Sequence, residues 1–249
     1  MKRALFILVF AGLLASVASS PAAALPTCGA SPSGSSALLA FINDDCFDLT
    51  SAIAGAGVQS HVDTTISNGA GSIHIFGTLD SDPFINFGAT TTNATTGPVT
   101  YAFLFGTPIV PDFYNHATST AGVTVTASNV DVTVNAPGVY PTYLSGYGTL
   151  GLAATNLGVD LGTAPCSATV DQGTTTCSQG LTSNTFASTF YDNLEALLTY
   201  QQTGLLTVAS WSGRVTLDFV ETVPEPASMT LLGTGVVGVA LFQRLRRRS

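Results

Sequence analysis

Charge is what this 249-residue chain has least of: Asp, Glu, Lys and Arg make up only 9% of it, against roughly a quarter in an ordinary soluble domain. The shortage falls hardest on one sign. The seven basic residues are Lys2, Arg3, Arg214, Arg244, Arg246, Arg247 and Arg248, so six of them stand at the two ends. The stretch 25–223 keeps Arg214 alone against fourteen acidic residues, a net charge of −13. Such a surface excludes nucleic acid and anionic lipid as partners and is suited to solubility, divalent cations or basic ligands. Other absences are equally informative. There is no C-x-x-C pair and no histidine spaced to complete a zinc site. No G-x-S-x-G elbow is present; Gly29-Ala30-Ser31-Pro32-Ser33 lacks the closing glycine. His61, His74 and His116 are scattered, so neither a nucleophile–histidine–acid arrangement nor a cofactor is expected. No fixed internal repeat argues for a solenoid or propeller.

What is present begins with the N-terminus. Lys2 and Arg3 precede the uncharged stretch Ala4 to Ala15, and small residues follow to Pro21-Ala22-Ala23-Ala24. A basic start, an apolar core too short for a membrane span and an A-x-A site make a secretory signal peptide over 1–24. Ala22 and Ala24 supply the small side chains that signal peptidase needs, with cleavage expected after Ala24. Export in turn permits disulfides between Cys28, Cys46, Cys166 and Cys177. Four cysteines allow three connectivities; the pairing Cys28–Cys46 and Cys166–Cys177 closes the two shortest loops and is preferred.

The C-terminus, 223–249, has three parts in order. Pro224-Glu225-Pro226 can join neither a central strand nor a helix interior and reads as an extended linker. Residues 227–242 are uncharged and suit a transmembrane helix. Sixteen residues rise about 24 Å, which snorkelling arginines extend toward the ~30 Å hydrocarbon core. The basic tail 243–249 follows, with Arg244, Arg246, Arg247 and Arg248 fixing that end inside by the positive-inside rule, and the preceding domain outside. Gly233-x-Gly235-x-x-Gly238 matches the dinucleotide fingerprint in letters only. No βαβ unit can surround it, and small residues on a membrane helix explain it.

In this order the three parts resemble the PEP-CTERM sorting signal of Gram-negative bacteria, also labelled the ice-binding protein C-terminal domain. The resemblance covers about a tenth of the chain. It implies that an exosortase recognises Pro224, Glu225 and Pro226, cleaves near them, and so sends a membrane-held intermediate to the cell surface or extracellular matrix. It also implies a link to exopolysaccharide and biofilm.

Residues 25–222 read as an all-β ectodomain, an antiparallel β-sandwich or jelly roll, because apolar and polar positions alternate between Gly, Asn, Asp and Pro clusters. The clearest pair is 83–92 and 98–107, joined by a turn at Asn93–Gly97. Further strands are expected at 60–67, 72–79, 121–127, 129–135, 149–155, 185–191, 204–211 and 213–221, with short helices only at 36–43 and 192–202. Segments such as Asp82-Pro83-Phe84-Ile85-Asn86 and Ser212-Gly213-Arg214-Val215 are similar to ectodomains that precede this tail, a likeness bearing on fold and not on activity.

Three ligand chemistries can be set out for this domain. Asp80 and Asp82, ahead of Asp44, Asp45 and Asp48, are the candidate calcium pair, although loop aspartates more often fix turns. Tyr140, Tyr143 and Tyr147 form an aromatic run that could stack on sugar rings, or else pack over the end of the sandwich. Threonines at Thr90–Thr92, Thr124, Thr126 and Thr174–Thr176 invite comparison with ice-binding ladders, but they follow no fixed period and β-propensity accounts for them. The expectation is a non-enzymatic surface or matrix protein, with a carbohydrate-binding module as the alternative.

Overall fold

The computed structural model describes residue 28 and residues 36–55, 58–138, 141–151 and 153–221. The predicted signal peptide with Ala22 and Ala24 lies outside them. So do Tyr140 and the tail with Pro224, Glu225, Pro226, the segment 227–242, Arg244, Arg246, Arg247 and Arg248. Twelve strands are described: β1 (Ala37–Ile42), β2 (Asp45–Asp48), β3 (Gln59–Ser67), β4 (Gly71–Asp80), β5 (Phe84–Asn93), β6 (Val99–Thr126), β7 (Val132–Asn135), β8 (Leu144–Leu150), β9 (Ala153–Asn156), β10 (Cys166–Ala168), β11 (Thr174–Gln202) and β12 (Val208–Asp218). The only helical piece among them is a 3-10 turn at Thr50–Ala52. No helix of the described residues is long and apolar enough to cross a membrane.

Every ladder is antiparallel, and the sheet runs β10-β7-β11-β6-β12-β5-β4-β3, with β1 and β2 added beside β6 and β8 and β9 beside β11. Two strands of 28 and 29 residues, β6 and β11, pair from Val99–Gln202 to Thr126–Thr174 and organise everything else. Their ladder shifts register at Thr185/Thr189 and Tyr191/Asn193. Opposite those shifts stand Pro108 and Pro111, which lack the N–H a regular ladder needs. The ribbon bends there. On one side of the bend, β1 and β8 flank it; on the other, β12, β5, β4 and β3 extend it. The two halves lie face to face. Phe87 of β5 stacks on Phe105 of β6 at 5.1 Å, and Trp211 of β12 sits 5.1 Å from Tyr200 of β11 and 4.9 Å from Tyr143.

Polar groups inside this interface are joined to one another. Thr91 Oγ1 meets Tyr200 Oη at 2.8 Å and donates to Gln202 Oε1 at 2.7 Å, while Gln202 Nε2 donates to the Thr207 carbonyl at 2.7 Å. Burial pushes the Tyr200 phenol well above its ordinary range, so it stays neutral. Both preferred disulfides are present, Cys28–Cys46 and Cys166–Cys177. The second ties β10 to the outer stretch of β11, beyond the bend.

The structure corrects four expectations. Residues 36–43 and 192–202 are strands, not helices. On β11, Leu194, Ala196, Leu198 and Tyr200 face the interlayer core while Asn193, Leu197 and Thr199 are buried on the opposite face. A strand covered on both sides shows an unbroken apolar run, which resembles a short buried helix. Next, 83–92 and 98–107 are not a hairpin: β12 separates β5 from β6, and the turn carries the chain between layers. Asn93 holds that turn through Gly97 O at 2.8 Å and Gln202 O at 3.1 Å. Third, the strands expected at 204–211 and 213–221 are a single strand, β12, running without a break from Val208 to Asp218. Gly213 is there because a Cβ would lie 2.3 Å from the Phe87 ring, not because the chain turns. Finally, 149–155 is broken by Gly151, whose φ of +60° turns β8 into β9.

Candidate functional site

The outer face of the half formed by β11, β6, β12, β5, β4 and β3 is assembled from every second residue of six adjacent strands. Their register sets side chains in ranks across the sheet. One rank runs Thr176, Thr124, Ser210, Thr90, His74 and Thr65; the next, Ser178, Gly122, Ser212, Gly88, Phe76 and Asp63. Ranks stand about 7 Å apart along the strands, and members of a rank about 4.8 Å apart across them. Hydroxyls within ranks bond to each other: Thr124 to Thr176 at 2.9 Å, Thr90 to Ser210 at 3.1 Å, Thr126 to Thr174 at 3.3 Å, and Thr118 to Thr216. The threonines that follow no period along the chain are thus brought side by side by pairing between strands.

Where small residues coincide, the face sinks. Gly122, Ser178 and Ser212 floor a trough of about 590 Å³, with Thr120, Leu181 and Arg214 along its margin. Gly180, with φ of +93°, occupies the bulge between Ser178 and Leu181 that lets the β11 edge curl around it. At the far end of the floor rank, Phe76 lies across Gly88, where a Cβ would come within 2.1 Å of its ring. Phe76 remains 43% exposed, and the His74 ring is 5.5 Å away. His74 Nε2 is 2.8 Å from Asp63 Oδ1.

Arg214 is the one basic residue of the ectodomain. Its guanidinium carbon lies 4.5 Å from the centre of the Phe84 ring, which orients the planar group by cation–π attraction. The ion pairs among the described residues are His74–Asp63 and His116–Asp218, and neither involves Arg214. Arg214 is exposed and has no carboxylate partner among the described residues, so its guanidinium is chemically suited to an anionic group. Hydroxyl ranks on either side offer donors and acceptors, and Phe76 offers an apolar face. Among the described residues no hydroxyl contacts a histidine that is itself held by a carboxylate, and no group of three His, Cys, Asp or Glu is placed to hold a metal.

The residues singled out from sequence are distributed elsewhere. Tyr143 is fully buried between the layers, donating to Val134 O at 2.8 Å and Ala164 O at 3.0 Å, and burial pushes its phenol up to about 12. Tyr147 is 4% exposed and packs with Leu39, Leu104 and Leu197. Neither presents a ring to solvent, so these two tyrosines pack the domain; Tyr140 lies outside the described residues. Asp80 is buried, with Oδ2 accepting from Gln59 Nε2 and Oδ1 from the Asp82 backbone N–H, so it fixes the turn after β4. Arg214 and Phe76 were missed as a pair because nothing in the sequence relates them. The available signal was the charge census, in which Arg214 stands alone.

At the end of β12 the chain is clamped once more. Asn115 Nδ2 donates to Val220 O and Asn115 Oδ1 accepts from Val220 N–H, both at 2.8 Å. Two residues later a known motif begins. Residues 222–248 are a PEP-CTERM protein-sorting motif. The PEP-CTERM motif implies export, membrane-associated sorting to the cell surface and processing by an exosortase. No curated protein matches the chain.

Proposed function

We propose that this is a non-enzymatic surface or extracellular-matrix protein, freed from its membrane intermediate by an exosortase, whose ectodomain binds a polysaccharide strand across the Arg214 trough. The PEP-CTERM motif supports the first part. The single observation supporting the second is the position of the only cation of the domain: unpaired, oriented by Phe84, and beside a floor of glycine and serine on a hydroxyl-ranked face. The ligand chemistry that fits is a sugar chain carrying carboxylates, as uronates do. Its charge meets the guanidinium fork, its hydroxyls meet Thr120, Ser178 and Ser212, and its C–H face meets Phe76. Binding a matrix polysaccharide of this kind would tie the protein to a biofilm. The test is a glycan screen of the full-length chain in detergent against Ser212→Trp, which fills the trough. Uronate-rich glycans are expected to bind the parent and not the variant. Equal binding by both would move the ligand elsewhere.

A second reading has its own observation. The hydroxyl ranks provide the lateral register that ice binding requires, although Arg214, Phe76, His74 and Asp63 interrupt them. Thermal hysteresis separates the two: a clear freezing-point gap without glycan binding would favour ice, and its absence would remove that reading.

A further inference from the structure

Thirteen large apolar side chains are exposed among the described residues, and five of them, Val110, Phe113, Phe190, Phe219 and Val220, belong to one end of the molecule. Two of the five are aromatic rings in contact with each other, and exposed clusters of this kind mark contact surfaces. Phe113 and Phe190 are cross-strand partners whose rings meet edge to face at 5.4 Å, 54% and 36% exposed. They sit at the bend of the β6–β11 ribbon, and Phe113 is two residues before Asn115, whose side chain clamps Val220. This end is therefore also where the chain leaves the domain.

We infer that these side chains are a membrane-docking patch, seated on the lipid interface for as long as the sorting signal stays attached. The inference rests on reading 227–242 as a membrane span. From Val220, where the fold still holds the chain, to Ala227, where the apolar segment starts, there are seven residues. Fully extended they reach at most about 25 Å. So short a tether confines the exit end of the domain to the bilayer surface and gives the patch a millimolar-scale effective concentration there. Aromatic rings are the side chains that settle at the membrane–water interface. Asp82, Asp112, Asp192, Asp218 and Glu221 belong to the same end, so the lipid surface that fits is zwitterionic rather than anionic. Docking would hold the Pro224-Glu225-Pro226 stretch against the membrane, where a membrane-embedded protease works. Once the tail is cut, the tether is gone and the patch alone is too small to retain the domain.

The test uses the full chain, sorting signal intact, in phosphatidylcholine vesicles containing lipids brominated near the headgroup end of the acyl chain. Trp211 is buried and supplies an unquenched baseline that also reports folding. Three reporters are added singly: Phe113→Trp at the patch, Val170→Trp at an exposed site remote from the bend, and Val237→Trp in the tail, with Phe190→Trp standing in for Phe113→Trp should that variant misfold. The expected result is at least twofold quenching of the added emission in Phe113→Trp and Val237→Trp, with Val170→Trp unaffected. Quenching of Val237→Trp without Phe113→Trp would overturn the docking patch and leave the tail reading intact. Quenching of neither would overturn both. Failure of Phe113→Trp to be quenched, together with loss of processing in Phe113→Ser, would assign the patch to a protein partner and equally overturn the proposal.

Discussion

The two ends of a single strand, β6, are built on different plans. From Val99 to Thr107 every residue but Thr100 is buried, whichever side of the sheet it faces. From Ala117 to Thr126, buried and half-exposed residues alternate without exception. Its partner β11 repeats the change in reverse, alternating over Thr174–Ser178 and closed on both faces over Asn193–Tyr200, where only Glu195 is part-exposed. The same ribbon thus serves as a core strand on one side of the Pro108–Asp112 bend and as a display surface on the other. Leu39, Leu104, Leu197 and Tyr147 make a second small core on the outer face of the first half. The equivalent face of the second half carries Thr118, Thr124, Ser210 and Arg214. Burying both faces of a strand is a stability device, because a central strand gains apolar contacts twice over. Leaving one face polar costs that second gain and provides a place to bind.

The sharpest way to break the comparison is to place the same charge on both outer faces. Leu197→Asp puts a carboxylate into the second core, where it has no partner, and should cost more than about 4 kcal/mol, enough to prevent folding. Thr124→Asp on the open face should cost under about 1 kcal/mol. Chemical denaturation of both variants checks the contrast; similar losses would mean the two faces are not different in kind.

Glu195 gives a second contrast, because it is the one acidic side chain of the closed face. It lies over Gly106, cross-strand from Tyr147, and its Oε2 is buried with no hydrogen-bond partner. Burial pushes its carboxyl up to about 7 from 4.5. The folded state therefore holds the proton more tightly than the unfolded chain. Its contribution is fully present below about pH 4.5 and is lost as pH rises through 7. The loss should approach roughly 3 kcal/mol by pH 8. Glu195→Gln should flatten that segment of the stability–pH profile; an unchanged profile would show that Glu195 is solvated.

A smaller effect is expected where the open face is flattened by glycine. Gly88→Ala must displace Phe76, whose ring occupies the space. The ring is exposed and its far end can swing away, so thermal stability should fall by less than about 1 kcal/mol. Glycan affinity should nonetheless drop several-fold if Phe76 stacks on sugar. Unaltered affinity, measured by the same titration, would remove Phe76 from the site.

This division also explains what could be seen in the sequence. The alternating segments, 60–67, 72–79 and 121–127, were legible because one face is polar, and they became β3, β4 and the outer part of β6. The doubly buried segments 36–43 and 192–202 were misread as helices because two cores erase the period of two. Pro108 and Pro111 look like chain breakers, yet they mark the bend of a continuous strand, which hid the length of β6. The disulfide pairing followed from loop length. The hydroxyl ranks and the trough were not legible at all. Thr176, Thr124, Ser210 and Thr90 come from four strands, and only register brings them into line. Tyr143 and Tyr147 carried the right chemistry for sugar, but the interlayer core claims the first and the small outer core the second, since burying a large ring outweighs displaying it.

In the proposed function Arg214 serves binding and not stability. Calorimetric titration of the full-length chain with a uronate oligosaccharide, run beside Arg214→Gln and with the melting temperature of each recorded, tests this directly. The predicted result is at least a tenfold weaker affinity in Arg214→Gln, about 1.4 kcal/mol, with both proteins melting within a degree or so of each other, since an exposed unpaired charge contributes little to folding. Equal affinities, or an affinity loss matched by a fall in melting temperature, would contradict it.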